Sequence, residues 1–324
     1  MEVKRTRRWK EYLLLIWLVA TVNFILPRML PGCPLVHLAG EEIGHLSPAE
    51  RDELLARYNL DQPLLVQYGH YMWDLVTLQW GYSFSKNEPI KDVLWRRVSW
   101  TLLLAFSSIA FSAVIGAILG VRAAVNRGKR SDIRLLLTVS FLGSFPSFWL
   151  GMVLIAVFAV YLNWFPVHGA YTVGANLTGF VKFADILWHM VLPVAALTML
   201  SVGRYFLAMR YSLIEVMGED FIILAKAKGL SEKVIKYKYI MRNALLPFVT
   251  VLMLDLGFIL SGATVVETVF AYPGLGRLMF EAVLARDYPL LQFSFLVVAI
   301  IVILFNYLAD RLYVYIDPRI GEQG

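Results

Sequence analysis

Six apolar runs, each long enough for a membrane-spanning helix, constrain this chain more than any motif it carries. They cover residues 9–29, 101–121, 133–162, 186–208, 245–266 and 290–308. About 20 apolar residues carry a helix across a hydrocarbon layer of ~30 Å. The first run meets that length least comfortably, because Asn23 and Pro27 interrupt it. Composition points the same way: hydrophobic residues make up 59% and charged residues 17%, against about 45–50% and 25% in soluble domains. The expected fold class is all-α, a polytopic membrane protein with six transmembrane helices.

Orientation follows from Lys and Arg, which accumulate in cytoplasmic loops. With the N-terminus inside, the inner segments collect the basic residues of 4–10, 122–134, 204–242 and 311–319, which together are most of the 30. Six crossings then return the C-terminus to the cytoplasm. The net charge of +6 therefore expresses topology. No basic patch interleaved with aromatics indicates a nucleic-acid partner, and membrane lipid is the implied surrounding. Three regions result: 1–98, the first span and an extracytoplasmic region with short helices; 99–311, a five-helix core; and 312–324, a cytoplasmic tail.

In the outer region, Ser47, Pro48 and Glu50 form a capping box for a short helix ending near Tyr58. A second, aromatic-rich segment follows Pro63 and suits the headgroup layer. It is expected to act as a lid or packing element more than as a substrate contact. The single cysteine, Cys33, excludes an internal disulfide. Its LPGC context resembles a lipoprotein cleavage site, but Asn23, Arg28 and the proline two residues before it argue against processing.

Between the fourth and fifth runs the grease is interrupted by ILAKAKGLSEKVIKYKYIMRNALLP, residues 223–247. Apolar residues at helical spacing from Leu213 to Leu224 predict a helix that continues to Lys228. Gly229 is suited to the left-handed position after a helix end, Ser231 to capping a second helix, and Pro247 to opening the fifth span. Helix, tight turn and helix are expected on the cytoplasmic side. Ala225 and Gly229, four apart, would share a face that lets another surface come close. Lys226, Lys228, Lys233, Lys236 and Lys238 supply positive charge. Physics alone leaves two readings level, an amphipathic hairpin on the membrane surface and a docking hairpin.

Three further features stand out. Pro146, inside the third run, is expected to kink it. Asp255 lies about ten residues into the fifth run, where a charge faces a cavity or a partner by default. A cation, a peptide amino terminus or a helix-packing hydrogen bond would each suit it. Arg204 is expected to snorkel, and Tyr272 to Gly276, with Pro273 and Gly274, to form one tight external turn. No internal repeat suggests a secondary carrier, and neither a phosphate-binding loop nor an HExxH pattern is present.

The ordered set of motifs resembles the peptide/nickel family of ABC-transporter permeases along essentially the whole chain. AKAKGL followed by RNALLP resembles the inner-loop signature often called the EAA loop. PLVHLAGE, LSPAE, LDQPLLVQY and WGYSF match the family's external region in order, PSFWLG and WFPVHG its third span, and VETVFAYPGLGRLMFEAV, RDYPLLQ and NYLADRLYVYIDPRI its end. Two departures stand out: Ile223 occupies the place of the loop's usual acid, with Asp220 nearby, and Cys33 replaces the aspartate of a PGDP turn.

The resemblance implies a bacterial or archaeal plasma-membrane subunit that pairs with a second homologous permease and catalyses nothing itself. Two ATP-binding subunits would carry ATP and Mg, so this chain needs no cofactor and no metal. An extracytoplasmic solute-binding protein would deliver the cargo. Coupling to the ATPase would run through the 212–244 loop, on Asp220, Ala225, Lys226, Ala227, Lys228, Gly229 and Leu230, with Asp255 a candidate for the translocation path. Di- or oligopeptides are the expected cargo. Nickel or metal chelates and glutathione are the alternatives within the family, and a secondary carrier or membrane enzyme lies outside it.

Overall fold

A computed structural model describes residues 7–29, 62–257 and 263–316. The expected Ser47 helix, Cys33 and the tail beyond 316 lie outside the described residues. The chain divides into two compact units, one of Met1–Thr101 with Pro273–Leu304 and one of Leu102–Tyr272 with Phe305–Gly324. Helices dominate both, and a two-residue antiparallel pair, β1 (Tyr82–Ser83) and β2 (Glu88–Pro89), is the one sheet among the described residues. Among the described residues four helices are long and apolar enough to cross a membrane, five if a bent pair counts as one span.

In the first unit, α1 (Arg7–Met29) takes up the first apolar run and α2 (Leu64–Thr77) packs beside it. Polar contacts set the register of the pair: Thr21 Oγ1 lies 2.7 Å from the Tyr68 hydroxyl, and Asn23 Nδ2 donates to the Tyr71 hydroxyl at 3.1 Å. The edge of Phe24 meets Tyr68, with ring centroids 5.2 Å apart. The tyrosines of the aromatic segment are thus turned inward, while Leu65, Trp73 and Val76 are exposed.

Asp287 organises the other end of this unit. One of its oxygens accepts bonds from the Ser83 hydroxyl (2.6 Å) and from both the amide (3.0 Å) and the hydroxyl (2.8 Å) of Ser85. The other accepts the Leu290 amide at the start of the last helix. That carboxylate pins the β-turn to the chain 200 residues later. Beside it burial raises the Glu281 carboxyl, but Lys86, Arg277 and Arg97 outweigh burial and hold it below the usual carboxylate range.

The second unit is built around two long helices, α3 (Ile90–Val125), which enters it at Leu102, and α6 (Gly179–Met217). Their approach is set by Gly116 and Gly120. A Cβ at Gly116 would stand 2.5 Å from the Tyr205 Cβ and 2.9 Å from the Phe206 amide nitrogen. One at Gly120 would stand 2.8 Å from both the Met209 Cβ and the Phe206 carbonyl oxygen. Small residues four apart bring helix backbones together where lipid supplies no hydrophobic drive. On another face of α3, Phe111, Val114 and Ile118 are exposed, as a lipid-facing stripe requires.

The third apolar run is not a kinked helix. It is two helices, α4 (Arg130–Gly143) and α5 (Ser147–Leu154), the latter continuing as a π-helical turn over Ile155–Tyr161, and they meet at 97°. Pro146 stands outside the second helix, extended at ψ 140, with its carbonyl accepting the Leu150 amide. The correction has a local cause, since proline also bars its predecessor from helical backbone, so the helix ends before Phe145 and restarts. Across the corner Phe145 meets Phe141 edge to face and stacks on Trp149.

The loop after α5 is fastened by Asp185, which accepts both the amide and the hydroxyl of Thr172. Short helices α10 (Ala263–Val269) and α11 (Leu275–Leu284) precede the final α12 (Tyr288–Ile316). The expected turn over Tyr272–Gly276 is shorter than its motif. Pro273 and Gly274 lie in the connection, but Gly276 is buried in the first turn of α11. Gly274 occupies the N-cap position without a side chain, and the Thr101 hydroxyl accepts the Leu275 amide in its place at 2.7 Å.

Gly to Ala normally favours a helix interior by about 1 kcal/mol. At Gly116 the missing space reverses that sign, so Gly116→Ala is expected to lower the Tm of the detergent-solubilised protein. Gly69→Ala, where a Cβ meets nothing within 4 Å, should not. A raised Tm in both variants contradicts the close approach.

Candidate functional site

The charged interruption folds as a hairpin between α6 and the next long helix. The helix expected to run through to Lys228 breaks instead at Gly218, which ends α6, and a separate α7 (Asp220–Ala227) begins after Glu219. Glycine is a poor helix interior residue, and Asp220 in the first turn of α7 favours a new helix N-terminus. Asp220 itself is exposed.

Gly229 closes α7 with φ +72. Its amide donates to the Lys226 carbonyl (2.9 Å) and the Leu230 amide to the Ala225 carbonyl (3.4 Å), the pair of bonds that defines a Schellman end. Ser231 then stands at the N-cap of α8 (Glu232–Val234), extended, with no bond from its side chain. A π-helical stretch, Ile235–Met241, leads into α9 (Arg242–Gly257). Pro247 therefore does not open the fifth span: it lies inside α9, and the helical run from Glu232 to Leu256 passes through it. A proline within a membrane helix is tolerated because neighbouring groups re-satisfy the freed carbonyl.

A small apolar core holds the hairpin shut. Ile222, Ala225 and Ile235 are buried together, with Leu230, Tyr239 and Ile240 packed around them. This corrects the expectation for Ala225, which is 3% exposed and faces inward. The outward surface consists of Ile223, Leu224, Ala227 and Gly229, flanked by Lys226 and Lys228. A Cβ on Gly229 would meet nothing within 4 Å in this chain, so the space above it is open to a partner. Beside it a recess of ≈ 300 Å³ is lined by Lys226, Leu230, Glu232, Ile235, Lys236 and Ile240. Lys233, Lys236 and Lys238 are exposed as well.

The feet of the hairpin are tied into the helical body. Ser212 donates to the Ala244 carbonyl at 2.8 Å, joining α6 to α9. Tyr205, Met209, Leu213, Ala244 and Phe248 form one buried cluster behind that bond. Two residues earlier on α6, Arg210 makes two parallel bonds of 2.8 Å to the carboxylate of Asp132 on α4, and both side chains are buried. Asp132 also accepts the Gly128 amide at 3.0 Å, fixing the turn between α3 and α4. The fork geometry of arginine matches a carboxylate bidentately. Nothing in the local sequence pairs residues 78 positions apart, although an acid in a basic loop and an arginine ending an apolar run were both visible.

Asp255 likewise has an internal partner. Arg204 Nη1 donates to its Oδ1 at 2.5 Å, linking α6 to α9. Arg204 thus turns toward a carboxylate instead of snorkelling away, and Asp255 is buried with its counter-charge supplied by the chain itself. Among the described residues no group of three or more His, Cys, Asp or Glu side chains is arranged to hold a metal ion. What the arrangement offers is mechanical: a compact exposed knob whose two ends continue into long helices.

Residues 112–322 match the family described as the binding-protein-dependent transport system inner membrane component. The chain is 37% identical over 325 aligned positions to the dipeptide transport system permease protein DppB of Escherichia coli (strain K12), with 94% of each chain covered. It is 35% identical over 320 positions to the di/tripeptide transport system permease protein DppB of Pseudomonas aeruginosa (strain UCBPP-PA14), with the same coverage. Among solved structures, a chain of the MetNI methionine ABC transporter in an inward-facing conformation is similar in fold. The TM-score is 0.57 at 19% identity, covering 71% of this chain and 99% of that one.

Removing one member of a buried pair strands the other, at about 3–5 kcal/mol. Asp132→Ala is therefore expected to destabilise the solubilised protein by that order in denaturant titration, and Asp132→Leu combined with Arg210→Met to recover most of it. A double variant as unstable as the single one would show that the loss does not come from a stranded Arg210.

Proposed function

The chain belongs to the family of binding-protein-dependent transport system inner membrane components, and we propose that it is the permease subunit of an ATP-driven importer of di- or oligopeptides, moved by its partners through the 220–241 hairpin. It is a multi-pass membrane protein. The names of its curated relatives support peptides over metal chelates as cargo. In this reading α1 counts as a sixth span, both termini and the hairpin face the cytoplasm, and a second permease completes the path. Two ATP-binding subunits carry ATP and Mg, and an extracytoplasmic solute-binding protein delivers the peptide.

The observation that carries the coupling role is the hairpin's outward face. Ile223, Leu224 and Ala227 expose apolar surface next to Lys226 and Lys228, and Gly229 leaves room above the backbone. A surface facing water gains nothing from Ile223 and Leu224, whereas a groove on a protein partner buries them. Ile223, where related loops carry an acid, would make that contact apolar instead of charged. Because the hairpin is packed on itself and bonded to α6 and α9, a push on it moves those helices as bodies.

Gly229→Asn tests the docking face, because asparagine tolerates the left-handed backbone while its side chain fills the open space. In proteoliposomes holding the assembled transporter, peptide uptake is expected to fall about tenfold, a loss of ~1.4 kcal/mol, with membrane insertion unchanged. Normal uptake, or an equal loss in Gly128→Asn, where φ is also positive and no Cβ contact exists, would contradict the docking role.

A further inference from the structure

The Arg204–Asp255 pair is strongly one-sided. The Asp255 side chain is 8% exposed, that of Arg204 59%. Asp255 sits between apolar neighbours about ten residues into the 245–266 run, and the 2.5 Å bond holds the guanidinium at the same depth. One Nη is bonded to Asp255, the other makes only a long 3.5 Å contact to the Ser201 hydroxyl, and no further hydrogen bond to Arg204 occurs among the described residues. A guanidinium with unused donors at that depth is costly against lipid, so such groups face a water-filled cavity or another protein. Its planar fork matches a carboxylate.

We propose that Arg204 lines the translocation path and receives the C-terminal carboxylate of the peptide in transit, while Asp255 is a positioning residue that aims the guanidinium and does not itself touch cargo. Peptide charge is thereby met by the exposed member of the pair. Asp255 neutralises the arginine when the path is empty, which keeps the site from trapping an anion too tightly to release. The side chain of Asp255 is too buried for the substrate contact that its sequence position suggested.

This inference rests on the peptide-import reading, and one assay separates the two. The complete transporter is reconstituted in proteoliposomes with its solute-binding protein, and uptake of a dipeptide is compared with uptake of its C-terminal amide, each saturating the binding protein. The wild type is expected to import the free acid faster. In Arg204→Gln the rate for the free acid should drop about tenfold, as loss of a charge-assisted bond implies, with the amide unaffected. Arg204→Lys should restore part of the preference. If Arg204→Gln does not fold or insert in the membrane, Arg204→Met with Asp255→Leu removes both charges and should show the same collapse of preference.

A wild type that imports neither compound overturns the peptide reading and this inference with it. A wild type that imports the free acid while Arg204→Gln keeps the wild-type preference, or slows both compounds equally, overturns the inference alone. So does loss of the second permease on purification of Arg204→Gln, which would assign Arg204 to the subunit interface.

Discussion

Arg210 and Asp132 are held out of water where the hairpin leaves the helical body, and each charge is tolerable there only because the other is present. Their paired bonds join α6 to α4, and the Gly128 bond adds the turn from α3. Asp132 is thereby the point at which three helices share one electrostatic constraint. A hydrophobic contact would tolerate sliding. A bidentate ion pair in a dry setting does not, because misalignment leaves a buried charge short of partners. The hairpin consequently departs from a fixed position, which a coupling element requires.

Apolar packing takes over from charge above that point. Gly116 and Gly120 bring α3 against α6 at backbone distance, and Ser212 ties α6 to α9. The hairpin has its own small core, with Ala225 inside and Ile223, Leu224 and Ala227 outside. A knob that is rigid internally and bonded at both feet transmits displacement into α6 and α9. Those are the helices that share the Arg204–Asp255 pair, so the proposed docking surface and the proposed path residue sit on one mechanical element. Motion of the first then has a physical route to the second.

Much of this was legible in the sequence wherever the cause is local. The apolar runs foretold the helices, and Gly229 and Ser231 marked the hairpin turn through their own backbone preferences. Pro146 and Pro247 show where local rules divide. A proline that follows Phe145 ended a helix outright, whereas Pro247 was absorbed into a helix already begun at Glu232. Gly218 acted as a breaker although the apolar spacing ran straight through it. What stayed hidden depends on distant partners: Asp132 with Arg210, Asp255 with Arg204, and Gly116 with Tyr205. A charge within an apolar run announces that a counter-charge exists, but not which residue supplies it. Ala225 was misplaced for a related reason, since small size suits both an outer contact and an inner one.

Docking of an ATP-binding subunit on the outward face of the hairpin is measurable as proximity. With Cys33→Ser removing the chain's one cysteine, Ala227→Cys places a single thiol on that face. In the assembled transporter a short bifunctional thiol–amine reagent should link it to an ATP-binding subunit in high yield, and a thiol at the buried Ala225 position should link far less. Equal yields from the two positions, or linkage from Ala227→Cys to the solute-binding protein or to no subunit at all, would contradict the account.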